Sequence, residues 1–303
     1  MLCVLAAGCG TRETPAVHAP VREWTGSTFQ PYDSSRIILD SIRVDLDRNG
    51  IDEFVITSRD AFEQSNPALP RQFDRLEIFA FDTTRGVWGS LFVDPVQNGE
   101  TVEFRDITRR GKLEILATTN TGGNDPVAST GLAVYGFRKD GSLSVLFVAE
   151  SGAPEIRDID GDDVPEILVT GQYWGVTPRA DVVAYTAEIH SFNGSEYAEN
   201  NIRFRAYYDT RIAEGRAEYT RLAVASGRFD AVRAAALYDS FLRYVVWIIA
   251  KGDLYAVRTV WNTEKQALQQ RLDAEQFEDL DGLIEDVLSS SQQADAGTGD
   301  IGA

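Results

Sequence analysis

The feature that most constrains the fold of this chain is a segment that occurs three times. The copies span residues 42–57, 103–118 and 155–170, and they end in the related phrases EFVIT, EILAT and EILVT. Each copy is followed by a second shared run, a turn that contains glycine and another short apolar stretch. β-Branched and aromatic residues dominate these runs, which favours strands over helices. The sequence therefore predicts three repeated units, each a four-stranded antiparallel meander.

An acidic loop lies between the first two strands of the first and third units. The candidate ligands of the first loop are Asp45, Asp47, Asn49, the carbonyl of Ile51, and Glu53. Those of the third loop are Asp158, Asp160, Asp162, the carbonyl of Val164, and Glu166. Hard oxygen donors in this number select Ca²⁺, and clustered carboxylates repel one another when no ion is bound. The alternative is a plain hairpin turn rich in Asp, Asn and Gly, which is common at strand ends.

Two details of the loops refine this prediction. Asp163 stands where the first loop has its turn glycine, and aspartate tolerates the left-handed conformation better than most residues. The middle loop has Asp106, Thr108, Arg110 and Glu114 at the equivalent places. Because Arg110 at a ligand position would repel a cation, we expect the middle loop to be free of metal.

The repeated strands and the acidic pattern D-x-D-x-[DN]-G-x-x-[DE] resemble the FG-GAP or VCBS repeats of integrin α-subunits and many bacterial surface proteins. The resemblance covers about residues 36–205. It implies β-propeller blades, structural calcium in the acidic loops, and a role in extracellular adhesion or carbohydrate contact. Closed propellers typically have at least four blades, whereas three repeats are recognisable here. Either a divergent fourth blade exists, or the sheets stay open and are covered by the C-terminal part or by a partner chain.

The loops between the second and third strands lie at the opposite end of each meander and are long, which suits a binding surface. Their candidate ligand-binding residues are Arg71, Asn124, Asp125, Tyr173 and Trp174. Aromatic side chains beside polar ones suit contact with a sugar or a peptide. The alternative is that Tyr173 and Trp174 pack on the edge of a blade. His190 aligns with strand residues of the other repeats, so we expect it to be a packed strand residue.

The N-terminus reads as a sorting signal. The apolar run from Leu2 ends in small residues directly before Cys9, which resembles the lipobox of bacterial lipoproteins. This resemblance implies lipidation of Cys9 and a lipid-anchored protein of the bacterial cell envelope, exposed to the periplasm or the cell surface. The alternative is a chance apolar N-terminus. Residues 10–35, which contain three prolines, are predicted to be a tether.

The last third of the chain has helical periodicity. Apolar residues recur three and four positions apart at Leu237, Phe241, Val245 and Ile248. We therefore expect a signal remnant at 1–9, a tether at 10–35, propeller-like repeats at 36–208, a region of three or four helices at 209–288 and a disordered tail at 289–303. The expected fold class is mainly β, with four-stranded antiparallel blades followed by an α-helical region.

Composition excludes several functions. Acidic residues number 47 against 29 basic ones, and the resulting net charge of −18 disfavours nucleic acid. The two cysteines lie within the first nine residues and there are only two histidines, which leaves no disulfide or multi-histidine zinc centre in the body of the protein. No hydrolase, zinc-protease or phosphate-loop lysine motif occurs. The sequence favours a calcium-binding adhesion or scaffold module for protein or glycan. A carbohydrate-active enzyme and an envelope assembly factor are the alternatives.

Overall fold

The computed structural model describes residues 23–24, 35–62, 71–174, 182–225 and 230–297. It is mainly β and has a helical C-terminal region, as the sequence predicts. The chain forms two compact units. One consists of residues 1–169 and 190–198, and the other consists of residues 170–189 and 199–303. The predicted lipidation site Cys9, most of the predicted tether at 10–35 and the tail beyond residue 297 lie outside the described residues. Within the tether range, Glu23 and Trp24 are described and form a short strand.

The larger sheet is antiparallel. Its strands are β1 (Glu23–Trp24), β2 (Arg36–Val44), β3 (Glu53–Asp60), β4 (Phe73–Asp82), β5 (Val87–Arg105), β6 (Glu114–Asn120), β7 (Thr130–Phe137) and β8 (Leu143–Ala149). The strand order is β2-β3-β4-β5-β6-β7-β8, and β1 pairs with β5. A second sheet has the order β12-β11-β10-β9, with β9 (Glu155–Arg157), β10 (Glu166–Trp174), β11 (Val182–Phe192) and β12 (Tyr197–Glu199).

The long strand β5 corrects the expectation of separate blades for the first two repeats. Its N-terminal part pairs with β4 up to Gly99, and its C-terminal part pairs with β6 from Gly99 onward. The first two meanders therefore share one strand and form one continuous sheet. Among the described strands, this sheet ends at β2 and β8 and does not close into a ring. The third repeat forms a four-stranded sheet of its own.

Two apolar cores in the larger unit lie between successive repeats. The first joins Val55 and Leu76 of the first repeat to Ile115 of the second. The other joins Leu116 of the second repeat to Ile167 of the third. Because neighbouring strand residues point to opposite faces, Ile115 enters one core and Leu116 enters the other. The shared E-I-L phrase is thus a strand that is buried on both faces.

The helices are α1 (Pro126–Ser129), α2 (Arg205–Ala223), α3 (Ala231–Ala250), α4 (Leu254–Gln269) and α5 (Ala274–Gly297). The helical region begins at Arg205 and not at 209, and residues 289–297, which the sequence predicts to be tail, are helical. In the part of the chain that the structure describes, four helices form besides the four-residue α1, in agreement with the predicted three or four. Among the described residues, no helix has the length and apolar character that a membrane crossing needs.

The apolar stripe of α3 builds the core of the helical unit. Leu237, Phe241, Val245 and Ile248 are all buried there, as the periodicity predicts. The carboxylate of Asp230 accepts a hydrogen bond from an amide in the first turn of α3 and so caps its N-terminus. The stability of α3 therefore comes from tertiary packing as well as from helix propensity.

Candidate cation-binding loops

The first acidic loop connects β2 to β3 and folds around the side chain of Asp45. The Asp45 carboxylate accepts hydrogen bonds from the amides of Asn49 at 3.0 Å and Gly50 at 2.9 Å. The side chain of Asp47 accepts from the Asn49 amide at 3.1 Å. At the end of the loop, Glu53 Oε2 accepts from the Leu46 amide at 2.8 Å. Side-chain oxygens from both ends of the loop are therefore drawn toward its centre.

The third loop connects β9 to β10 and repeats this arrangement. The Asp158 carboxylate accepts from the amides of Gly161 at 2.7 Å and Asp163 at 3.1 Å. Glu166 Oε2 accepts from the Ile159 amide at 2.9 Å. Asp162 Oδ1 accepts from the amide of Val164 at 2.9 Å.

The backbone conformation is also shared. Residues with positive φ occur at the fourth and sixth places of both loops, as Arg48 (58°) and Gly50 (88°) in the first loop and Gly161 (76°) and Asp163 (68°) in the third. Glycine and non-glycine have exchanged places between the two loops. Asp163 therefore adopts the left-handed conformation that its position in the sequence predicts.

Each of these loops brings three carboxylates together. Carboxylate oxygens of Asp45, Asp47 and Glu53 lie within 4.8 Å of one another, and those of Asp158, Asp160 and Glu166 do the same. Oxygen ligands of one cation must be close together, so the spacing of these atoms is compatible with binding of a hard cation such as Ca²⁺.

Glu53 is the most confined of the three carboxylates in the first loop. The residue is only 4% exposed. Burial raises the pKa of Glu53, and repulsion from Asp47 and Asp45 raises it further, while the bond from the Leu46 amide opposes the rise. Among the described residues, no lysine or arginine forms an ion pair with Glu53. A bound cation would stabilise the ionised form of Glu53 and so oppose this rise in its pKa.

The middle loop, between β5 and β6, has the same frame and different side chains. Asp106 accepts from the Gly111 amide at 3.1 Å, and Glu114 accepts from the Ile107 amide at 2.9 Å. Thr108 and Arg110 stand where the first loop has Asp47 and Asn49. Arg110 forms an ion pair with Glu114 at 3.4 Å.

The middle loop contacts both of the other loops. The Leu113 amide donates to the Leu46 carbonyl at 2.8 Å, which joins the middle loop to the first. Arg109 Nε donates to the Asp163 carbonyl at 2.6 Å, which joins it to the third. The role of Arg109 was not predicted, because the sequence carries no signal for a contact between loops 54 residues apart.

The predicted ligand-binding residues lie in different environments. In the larger unit, Arg71 pairs with Asp40 at 2.7 Å, Asn124 is exposed, and Asp125 caps α1 by accepting from the Val127 amide at 3.0 Å. In the helical unit, Tyr173 and Trp174 end strand β10, which corrects their predicted loop position: β10 extends beyond the repeated phrase.

Tyr173 and Trp174 differ in exposure. Tyr173 packs against the core of the helical unit, and its burial raises the pKa of the phenol. Trp174 remains 48% exposed and is therefore available for contact. His190 is buried on β11 with its ring 5.0 Å from that of Phe147, which confirms the prediction of a packed strand residue.

A polar cavity of about 530 Å³ lies between the β7–β8 turn and the β11–β12 turn. Residues 138–140 and 193–196 line it. The lining contains two basic and two acidic side chains. This mixture of charges favours no single class of ligand.

No family model matches the chain, and a search of curated proteins found no relative. The assignment to FG-GAP or VCBS repeats therefore stays a prediction from the sequence.

Proposed function

We propose that this chain is a calcium-binding module of FG-GAP/VCBS-like repeats that serves adhesion or scaffolding at a bacterial cell envelope. The observation that carries the proposal is the convergence of three carboxylates in each of two equivalent loops. Ca²⁺ takes six to eight oxygen ligands, and side chains and carbonyls of one loop can supply most of them. The carbonyls of Ile51 and Val164 complete the two predicted ligand sets.

Electrostatics supports a cation in these loops. Residues 45–53 contain four acidic side chains and one basic one, and residues 158–166 contain five acidic side chains and no basic one. Charges held this close repel one another strongly, especially where burial reduces screening by water. A divalent ion converts this repulsion into attraction, so calcium would stabilise the folded loops and, through them, the strands that they join.

The partner and the location are proposed from the sequence. Lipidation of Cys9 would attach the module to a membrane by its anchor, and the acidic surface disfavours nucleic acid. A protein or a glycan is the proposed ligand. The half-exposed Trp174 supports this because aromatic rings contribute large contact areas to binding sites. Glycan and peptide arrays probed with calcium and with EGTA would identify the ligand class.

Thermal melting of the chain tests the calcium sites. We expect calcium at about 100 times its dissociation constant to stabilise the fold by about 2.7 kcal/mol for each ion bound, a shift of several degrees relative to EGTA. The variant Asp45→Ala, Asp47→Ala, Asp158→Ala should lose this shift. Asp82→Ala, Asp140→Ala is the matched control, because both aspartates accept hydrogen bonds from turn amides outside the acidic loops. An equal shift in the triple variant, or no shift in the original chain, would contradict the proposal.

A further inference from the structure

The three loops can be matched position by position through their hydrogen bonds. The first residue of each loop, Asp45, Asp106 or Asp158, accepts from the amide five residues later, at 2.9, 3.1 and 3.1 Å. The last residue, Glu53, Glu114 or Glu166, accepts from the amide seven residues earlier, at 2.8, 2.9 and 2.9 Å. The middle loop also has positive φ at Arg109 (57°) and Gly111 (75°), the same two places as in the other loops. Each side chain of the middle loop therefore has a defined counterpart in the others.

In this common frame, the positively charged guanidinium group of Arg110 lies inside the middle loop. Its Nε donates to Thr108 Oγ1 at 2.9 Å, and its Nη2 lies 3.4 Å from Glu114 Oε1. Thr108 Oγ1 in turn donates to the same Glu114 oxygen at 2.7 Å. Thr108 and Glu114 are the counterparts of Asp47 and Glu53, whose oxygens belong to the carboxylate cluster of the first loop. The guanidinium group thus touches the two positions that would face an ion.

The surroundings hold Arg110 in this position. Its guanidinium carbon lies 4.7 Å from the centre of the Phe192 ring, a cation–π contact, and its side chain is only 24% exposed. Glu114 is completely buried, and a buried carboxylate needs a compensating positive charge or hydrogen bonds. Residues 106–114 contain three basic and two acidic side chains, whereas the other two loops are strongly acidic. The negative charges of the middle loop are therefore compensated by its own basic side chains, without any bound ion.

We propose that Arg110 is the built-in cation of the middle loop, where its guanidinium takes the place of a calcium ion and limits the chain to two calcium sites. This inference rests on the proposed function of the first and third loops. It differs from simple repulsion of an ion, because Arg110 is needed for the stability of the loop that it occupies. The middle loop then keeps its structure when calcium is removed, since a guanidinium group stays protonated and cannot dissociate from the chain.

Calcium stoichiometry from isothermal titration calorimetry tests the inference. The original chain should bind two ions. The variant Thr108→Asp, Arg110→Asn should bind three, because residues 106–111 then read DIDRNG, close to the DLDRNG of the first loop. Arg109→Asn is the matched control, because Arg109 contacts the Asp163 carbonyl and not Glu114, and it should leave the number at two.

A second measurement uses Arg110→Met, which keeps an apolar chain beside Phe192 and removes the charge. We expect its melting temperature in EGTA to fall by several degrees relative to the original chain, and calcium should not restore the difference. A stoichiometry of three in the original chain, two in the double variant, or an unchanged melting temperature for Arg110→Met would overturn the inference. If the original chain binds no calcium, the proposed function fails, and the inference fails with it.

Discussion

At the scale of single residues, burial raises the pKa of three carboxyl groups, but their surroundings differ. Glu53 also experiences repulsion from Asp47 and Asp45 in the first acidic loop. Asp279 receives a hydrogen bond from the Tyr238 hydroxyl at 2.6 Å, which opposes the rise in its pKa. Asp239 has one oxygen, Oδ1, that is buried and has no hydrogen-bond partner. Because this buried oxygen lacks a hydrogen bond, we expect the ionised form of Asp239 to lower the stability of the fold.

We expect Asp239→Asn to stabilise the helical unit at pH 7. Burial raises the pKa of Asp239 above its ordinary value of 3.8, while nearby Arg243 opposes the rise. A raised pKa means that the folded state holds the proton more tightly than the unfolded chain does. The contribution of this group to stability is therefore complete below pH 3.8 and is lost as the pH rises through the folded value.

The gain from Asp239→Asn should accordingly shrink as the pH falls from 7 toward 4, because both side chains are then neutral. Thermal melting followed by circular dichroism at 222 nm measures this dependence. Asp286→Asn, at an exposed position of α5, is the matched control and should show no gain. A gain of equal size at every pH would contradict the assigned cause.

At the scale of elements, helices α2 and α3 approach closely at one glycine. A Cβ atom added to Gly215 of α2 would lie 3.0 Å from Tyr244 Cα of α3. Close to this point the rings of Tyr219 and Tyr244 stack, with centres 6.3 Å apart. A backbone atom cannot move aside as a flexible side chain can, so a larger residue at 215 forces the two helices apart.

The variant Gly215→Ala should therefore destabilise the helical unit by about 1–3 kcal/mol, the usual cost of overpacking, reduced by the better helix propensity of alanine. Gly282→Ala in α5 is the matched control, because no atom lies within 4 Å of its added Cβ. We expect this control to stabilise the unit by up to about 1 kcal/mol. Urea unfolding of both variants gives the two signs. Stabilisation by Gly215→Ala would show that the helices are not held at this distance.

The elements also show what the sequence could and could not predict. Strand alternation and turn residues located the repeated strands, and the apolar stripe located α3. The continuous strand β5 was not predicted, because each repeat was expected to form a separate meander. The Asn98-Gly99 pair inside β5 is also a residue pair typical of turns. In the structure, Asn98 has a φ of 56° and the pairing shifts beside Gly99, so this site is an irregularity within one strand. Period and composition alone do not distinguish such a bulge from a turn.

The candidate site was predictable to a similar degree. The spacing of Asp45, Asp47 and Glu53 indicated that their oxygens converge, because it is the spacing of an oxygen-ligand loop. The pairing of Arg110 with Glu114 was not predicted: a residue type at a ligand position says which charge is present, but it does not say where a long side chain finds its partner. Tyr173 was assigned to a loop because the extension of β10 beyond the shared phrase has no counterpart in the repeat pattern.

At the scale of the whole molecule, the three repeats differ in the cation that we propose for each of their loops. The larger unit carries three loops of one design, linked by contacts from the middle loop to Leu46 and to Asp163. Two of these loops are strongly acidic, and the middle one holds its own guanidinium group. The chain would therefore carry a calcium ion, an arginine and a second calcium ion in successive repeats.

Anomalous scattering from crystals grown in millimolar calcium would locate each bound ion without assuming its ligands. We expect two peaks, one among Asp45, Asp47 and Glu53 and one among Asp158, Asp160 and Glu166, with the Arg110 guanidinium beside Glu114. The absence of a peak at both acidic loops, or a peak beside Glu114, would contradict this arrangement of cations.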